Sequence, residues 1–484
     1  MLISMLACIR MDGPAPLLAL LNTRWTASEM SGALESEDRN SQTIVIAGPG
    51  FESIAKEVAS MLGHRAFPLL LPIVSSGFLE HEFANEVRHS RQQSSFPAED
   101  YATQFSFSDK DALIIFTSGT TGGSKGVRLS HRAIVVQSFA KLGDPCNYSQ
   151  ETTMLASTVP LFHIGGISSC FSVLFAGGKL VFPRLTMRSA FNVNATRRSL
   201  MNSQAPANTL VVVPAMLVSI LQHSDPPQSF PHVRLILIGG QSAPNRMIAQ
   251  LEETFPNASI IQTYACTEAA SSLTFLQIKQ SGKKALPSKK NENQELNGDC
   301  VGVPPPHVSI RLYNTSERAK KIINLPYQVG VIATLGPHVM NGYWNRGKQQ
   351  KNLEGWLLTS DLGFYDNQGR LYFSGRLKDI IRSGGETVLA NEVERILLKH
   401  SSISECAVFP CQDEKFGEAV ACALVTSSPM KLEEIRDWCS EGGLATYKRP
   451  RYLFLLRALP RNSSGKILKN KLVARYGRIR PSKL

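Results

Sequence analysis

The sequence predicts an α/β protein with a large N-terminal domain of mostly parallel, helix-flanked sheets and a small α+β domain at its C-terminal end. Two patterns lead there. Between residues 111 and 264 short β-branched apolar runs alternate with helical stretches, and strands that alternate with helices imply crossover connections and parallel pairing. After residue 378 the pattern changes to closely spaced strands with a single helix between them. The length of 484 residues agrees with both, since a domain takes about 150 residues. The expected division is 1–377 and 378–484.

Taken in order, the expected strands of the large domain are residues 113–116, 154–159, 179–182, 210–213, 235–238 and 259–263. Ser130 is the expected N-cap of the helix after the first strand and the loop that follows it. Pro214 suits the first turn of a helix beginning after Val213, and Gly177-Gly178 ends the helix before Lys179. Ligands of open α/β sheets bind at the carboxyl ends of the strands, so the segments from Thr117, Pro160, Gly239 and Tyr264 onward are where chemistry is expected. Residues 280–299 are rich in Lys, Asn, Ser and Glu without apolar periodicity and read as a mobile surface loop. In the small domain the expected elements are strands 406–410 and 419–425, helix 431–439 and strand 452–456.

Composition excludes several classes. With 43% hydrophobic and 19% charged residues the chain reads as globular rather than disordered. Residues 1–21 are apolar but are interrupted by Arg10, Asp12 and two prolines, which argues against a signal peptide or a membrane span. The nine cysteines are scattered, without a Cys-x-x-Cys pair, so neither a disulfide framework nor a zinc site is expected. The net charge of +13 is spread along the chain without a basic run interleaved with aromatics, and no nucleic-acid partner is expected. Such a field would instead help to gather anionic substrates.

The most informative segment is Phe116-Thr117-Ser118-Gly119-Thr120-Thr121-Gly122-Gly123-Ser124-Lys125-Gly126-Val127. Glycines permit close backbone approach, successive amide N–H groups form an anion nest, and the hydroxyls with Lys125 add donors, so the loop suits a polyphosphate. It is not a Walker A loop, which ends Gly-Lys-Ser/Thr where this chain has Ser124-Lys125-Gly126. Four further stretches stand at strand ends or in loops. They are Pro160-Leu161-Phe162-His163, Gly239-Gly240-Gln241-Ser242, Tyr264-Ala265-Cys266-Thr267-Glu268 and Thr359-Ser360-Asp361 followed by Gly375-Arg376-Leu377-Lys378. By itself His163 is most simply an imidazole packed on its aromatic neighbour.

In this order and spacing the segments resemble the adenylate-forming superfamily of acyl-CoA synthetases, luciferases and peptide-synthetase adenylation domains. The resemblance covers nearly the whole chain. It implies that Thr117, Ser118, Gly119, Thr120, Thr121, Gly122 and Lys125 hold the phosphates of ATP, and that Gly240, Gln241 and Tyr264 surround adenine. It implies that Asp361 and Arg376 take the ribose and that the chain hinges at Lys378. Glu268 would hold Mg²⁺ on the phosphates, with Thr267 beside it, and His163 would border the acyl pocket. Arg382, Gly384 and Gly385 would admit coenzyme A, and Lys466 in Ser463-Ser464-Gly465-Lys466 would be the catalytic lysine. Ala265 stands where the family has glycine.

Within the superfamily, residues 160–171, Val213-Pro214-Ala215-Met216, residues 268–275, Cys300-Val301-Gly302 and Pro306-His307 are similar to the plant-type 2-succinylbenzoate:CoA ligases. The implied function is an acid:CoA ligase with a small carboxylic acid substrate, serving phylloquinone synthesis. A 4-coumarate-like or fatty acid:CoA ligase, or a nucleotide-binding relative without turnover, stays open. Residues 6–30 resemble a segment that in relatives follows several dozen residues, so the chain is expected to lack that leading part. The terminal Ser482-Lys483-Leu484 is the address read by the peroxisomal import receptor, and a peroxisomal location is expected.

Overall fold

A computed structural model describes residues 18–20, 28, 30, 43–47, 52–61, 66–70, 109–117, 125–156, 158–182, 191–202, 206–222, 229–243, 245–283, 298–314, 321–344, 355–461 and 467–478. The chain divides into two compact units, residues 1–134 with 340–349 and residues 135–339 with 350–484.

In the first unit, strand β1 (Leu18–Leu20) pairs in parallel with β4 (Asp111–Thr117). β4 is antiparallel to β5 (Lys125–Ser130), whose other edge carries β16 (Gly342–Tyr343). A separate parallel pair, β2 (Thr43–Ala47) and β3 (Ala66–Leu70), is connected through helix α1 (Glu52–Met61). β4 is an unbroken apolar run whose Leu113, Ile114 and Ile115 are fully buried. One expectation changes here. The phosphate-type loop does not lead straight into a helix but turns the chain back into β5, because Val127 and Leu129 alternate around Arg128 and bury one face. Gly126 in that strand is needed for close packing, since a Cβ there would lie 2.9 Å from Ile114 and 3.0 Å from Trp344. Helix α2 (His131–Phe139) follows at once, and the Ala133 amide donates to Ser130 Oγ at 3.1 Å, the expected cap.

The second unit opens with a six-stranded sheet of β6 (Thr153–Leu155), β7 (Lys179–Val181), β8 (Thr209–Val212), β9 (Leu235–Gly239), β10 (Ser259–Cys266) and β11 (Ser271–Lys279). Their order is β11-β10-β9-β8-β6-β7, parallel throughout except at β10-β11. Every expected strand of this stretch is present. The expected 154–159 shortens at its end, where Thr158 Oγ1 donates instead to the carbonyl of Val211 at 2.6 Å. Helices α3 (Ile164–Phe175), α4 (Val193–Leu200), α5 (Pro214–Gln222) and α6 (Asn245–Thr254) make the crossovers. Pro214 opens α5, and Gly177 follows α3 at φ 72°, a value glycine adopts without strain. Leu210, Val212, Leu217, Ile236, Leu251 and Phe255 form the apolar layer between sheet and helices.

The next sheet is antiparallel throughout, which the parallel pattern upstream did not foretell. β12 (Asp299–Gly302), β13 (Ser309–Tyr313), β14 (Ile322–Ile323), β15 (Gly330–Leu335), β17 (Leu357–Tyr365) and β18 (Leu371–Arg376) run in the order β12-β18-β17-β15-β13-β14. Connections such as residues 366–370 are too short for the helix a parallel crossover needs. Of the loop expected at 280–299, residues 284–297 lie outside the described residues.

The last sheet joins β19 (Ile380–Ser383), β20 (Glu386–Leu389), β21 (Ile403–Asp413), β22 (Gly417–Thr426) and β23 (Tyr452–Leu455). Helices α7 (Ala390–Leu397) and α8 (Leu432–Glu441) cover one face, where Val393, Val408, Val420, Ile435 and Cys439 pack together. Helix α9 (Lys469–Tyr476) places Leu472 against Phe409, Cys411 and Ala421 on the other. The β19-β20 hairpin, α7 and α9 are additions to the elements expected from sequence. Among the described residues no helix is long and apolar enough to cross a membrane, and the described cysteines are all free.

Candidate active site

The centre of the site is the carboxylate of Asp361. It lies on β17 opposite Arg376, its register partner on β18. Asp361 is buried, and its two oxygens are taken separately. Tyr264, near the end of β10, donates its phenol to Oδ2 at 2.8 Å, and Arg376 Nε stands 3.2 Å from Oδ1. The Thr359 hydroxyl donates to the Ile332 carbonyl at 2.9 Å and accepts the Asp361 amide at 3.2 Å, fixing the turn. Ser360 between them is at φ 62°, the left-handed region that glycine occupies easily and a serine does at a cost. Burial, and then the negative charge of Asp361, push the Tyr264 phenol well above its usual range. It therefore remains a proton donor.

This triangle fits a nucleoside. A carboxylate offers about four acceptor positions, so one set between a phenol and a guanidinium is of the kind that suits the vicinal diol of a ribose. The Tyr264 ring lies 6.0 Å from Phe373 at a tilt of 40°. Beyond Tyr264, β10 ends in a single 3-10 turn, Thr267–Ala269, which places Glu268 half-buried. Its carboxylate is a hard oxygen donor of the kind that suits Mg²⁺ carried on phosphates. Burial, and then Glu268, raise the adjacent Cys266 thiol, which stays protonated.

The glycine turn after β9 has Gly240 at φ 85° with Gln241 exposed. It is braced by groups that sequence reasoning missed. The Ala243 amide donates to Gln262 Oε1 at 3.1 Å, and the Ser242 hydroxyl donates to Asp299 Oδ2 at 3.1 Å. The sequence signal for Gln262 was present, a single amide in the apolar run Ile260-Ile261-Gln262. Asp299, whose carboxyl is raised by burial, carried no such signal.

His163 precedes α3 without capping it through its side chain, and its ring meets that of Phe162 at 4.8 Å. Lys378, the expected hinge, lies in the 3-10 turn Leu377–Asp379, and loss of hydration followed by the charge of Arg376 lowers its ammonium. Lys469, at the start of α9, reaches Glu394 at 2.7 Å and Asp379 at 3.9 Å. Burial opposes its charge, and these two carboxylates outweigh burial and raise its pKa. Arg382 donates from Nη1 to Thr387 Oγ1, while Gly384 and Gly385, at φ 61° and 87°, turn the β19-β20 hairpin. In the first unit Thr117 and Lys125 face each other across the mouth of the phosphate-type loop as register partners, and Lys125 Nζ sits 5.4 Å above the Tyr343 ring. Ser118, Gly119, Thr120, Thr121, Gly122, Lys466 and the terminal Ser482-Lys483-Leu484 lie outside the described residues.

The AMP-binding enzyme family profile spans residues 1–344, and that of the AMP-binding enzyme C-terminal domain spans residues 392–466. The chain belongs to the AMP-binding enzyme family. Among its relatives is the chloroplastic/peroxisomal 2-succinylbenzoate–CoA ligase of Arabidopsis thaliana, 31% identical over 428 residues, which are 81% of this chain and 72% of the relative. Among solved structures, the Bacillus subtilis o-succinylbenzoate coenzyme A synthetase with ATP and magnesium ion superposes with a TM-score of 0.70 at 28% identity, covering 94% of this chain and 83% of that one. The same enzyme with the acyl-adenylate intermediate OSB-AMP gives 0.65 at 27% identity, covering 98% and 99%. The family's fold, mixed α/β sheets followed by a small C-terminal domain, is the fold described above.

Proposed function

We propose that the chain is an ATP-dependent, AMP-forming acid:CoA ligase whose substrate is 2-succinylbenzoate. The observation that carries the reading is the Asp361 carboxylate held between Tyr264 and Arg376, a nucleoside-binding arrangement in a chain of the AMP-binding family. In the first half-reaction a carboxylate oxygen of the acid bonds to the α-phosphorus of ATP, and the bond to pyrophosphate breaks. In the second the CoA thiolate bonds to the acyl carbon of the adenylate, and AMP leaves. Both steps need positioning and charge neutralisation more than proton transfer.

The residues divide that work. Asp361 accepts from the ribose diol, Arg376 neutralises Asp361 and borders the sugar, and Tyr264 holds the carboxylate while its ring lies toward the base. Gly240 and Gln241 border the base and acyl group, with His163 at the acyl pocket. Thr117, Lys125 and the residues between them take the phosphates. Magnesium, when bound, screens phosphate charge, and Glu268 with the neighbouring Thr267 would hold it. Lys466 approaches the reacting phosphate in the adenylating arrangement. Rotation about Lys378 then exchanges it for the Arg382, Gly384 and Gly385 hairpin, which faces coenzyme A. The two domains of this motion are 1–377 and 378–484.

The proposed setting is phylloquinone synthesis, with peroxisomal import through Ser482-Lys483-Leu484. The Arabidopsis relative, named chloroplastic/peroxisomal, supports that location. The direct test is incubation with Mg-ATP, CoA and a panel of acids that includes 2-succinylbenzoate, 4-coumarate and a fatty acid, with mass spectrometry of AMP and acyl-CoA. The expected product is the 2-succinylbenzoyl thioester in preference to all others. A preferred thioester of another acid would move the substrate and the pathway.

A further inference from the structure

The mechanism leaves one buried charge without a task. Lys141, just beyond α2, is 1% exposed and is among the largest fully buried side chains. Its ammonium lies 2.7 Å from the Ser168 hydroxyl on α3 and 3.4 Å from the Ser271 hydroxyl at the start of β11. Among the described residues no carboxylate pairs with it. Its ionisable neighbours carry no compensating charge. Burial pushes the Cys146 thiol up to about 12, and burial together with the charge of Lys141 pushes His307 down to about 4, so both are neutral. His307 Nε2 is itself buried without a hydrogen-bond partner. Burial pulls the Lys141 ammonium down to about 8, so near neutral pH most of it stays charged with no anion beside it among the described residues, and it has a third donor to give.

The place is built to be rigid and lies beside the chemistry. Ser271 is three residues beyond Glu268, and the backbone between them is strained, with Ala270 at φ 54° and Ser271 at φ 149°. Non-glycine residues keep such values only where the surroundings impose them, often at functional sites. Here Gln137, one helical turn before Lys141, imposes them by donating to the carbonyls of Ala269 and Ser272, each at 2.9 Å.

We propose that Lys141, with Ser168 and Ser271, forms the subsite that reads the second, non-activated carboxylate of a dicarboxylic acid substrate. The inference rests on the ligase reading and adds the residues that select a diacid. 2-Succinylbenzoate is such an acid, its succinyl arm carrying one carboxylate and its ring the other.

The test compares 2-succinylbenzoate with 4-oxo-4-phenylbutanoate, the same acid without the ring carboxylate, in wild type and Lys141→Gln. It measures kcat/KM for AMP release. The wild type is expected to favour the diacid. In Lys141→Gln the diacid-to-monoacid ratio is expected to fall about 100-fold, mainly through KM for the diacid, as for loss of a buried hydrogen bond to a charged group. A ratio unchanged in the variant, or a wild type that prefers the monoacid, overturns the subsite. AMP release with neither acid overturns the ligase reading instead. If Lys141→Gln does not fold, Ser168→Ala serves as the second variant. A fall of about tenfold in the same ratio supports the subsite, and equal losses with both acids reduce Lys141 to a structural bolt.

Discussion

Asp361 shows how a site residue is made from several segments. Its position in Thr359-Ser360-Asp361 is written in the sequence, but its partners are 97 positions away at Tyr264 and across a strand at Arg376. Replacing it by asparagine removes the charge that Arg376 meets and turns one acceptor into a donor. Charge-assisted hydrogen bonds contribute about 1.5–3 kcal/mol, so Asp361→Asn is expected to raise KM for ATP at least about tenfold. Steady-state kinetics at saturating acid and CoA measures it, and an unaltered KM for ATP would remove Asp361 from the nucleotide site. At this scale the sequence was readable wherever a polar residue stood in a repeating apolar setting or in a motif. It was silent on Asp299 and Lys141, because nothing local marks a charge whose surroundings come from elsewhere, the turn after β9 and α7 for Asp299 and α3 and β11 for Lys141.

Elements were legible in proportion to how local their causes are. Pro214, Gly177 and Ser130 act within their own turns, and each does what its chemistry dictates. Ser130 both ends β5 and caps α2, so Ser130→Ala is expected to cost about 1 kcal/mol of stability, read as a lowered denaturation midpoint with an unchanged denaturant slope. No shift in midpoint would mean the Ala133 amide finds another acceptor. The antiparallel sheet between Asp299 and Arg376 was harder to read. Its strands are as short as two residues, and its pairings, such as β12 with β18, join segments about 70 residues apart that no periodicity links. The turn from the phosphate-type loop into β5 was missed for a related reason, since a two-residue alternation is too brief to announce a strand.

On the scale of the whole molecule, net charge and the proposed address can each be tested apart from the fold. A net charge of +13 favours the encounter of the chain with polyanions such as ATP and CoA, its proposed substrates, at low ionic strength. The terminal Ser-Lys-Leu makes a prediction of its own. A fluorescent protein fused to the amino end is expected to enter peroxisomes, and masking the carboxyl end with a further tag is expected to leave it in the cytosol. Import of the masked fusion would show that the tripeptide is not the address.

The short span from Arg376 to Asp379 is fastened at both ends. Arg376 is tied to Asp361, and Asp379 is tied through Lys469 to α9 and, by way of Glu394, to α7. In the motion proposed above, a reorientation of the C-terminal sheet that keeps these ion pairs would fall on the dihedral angles of Leu377 and Lys378. Few bonds would then be free to turn, and the proposed route between the two chemical steps would be a narrow arc rather than a wide search. Arg376 and Lys378 are like charges two residues apart at this span, and each disfavours the charge of the other. An anionic ligand that neutralises one of them relieves the other.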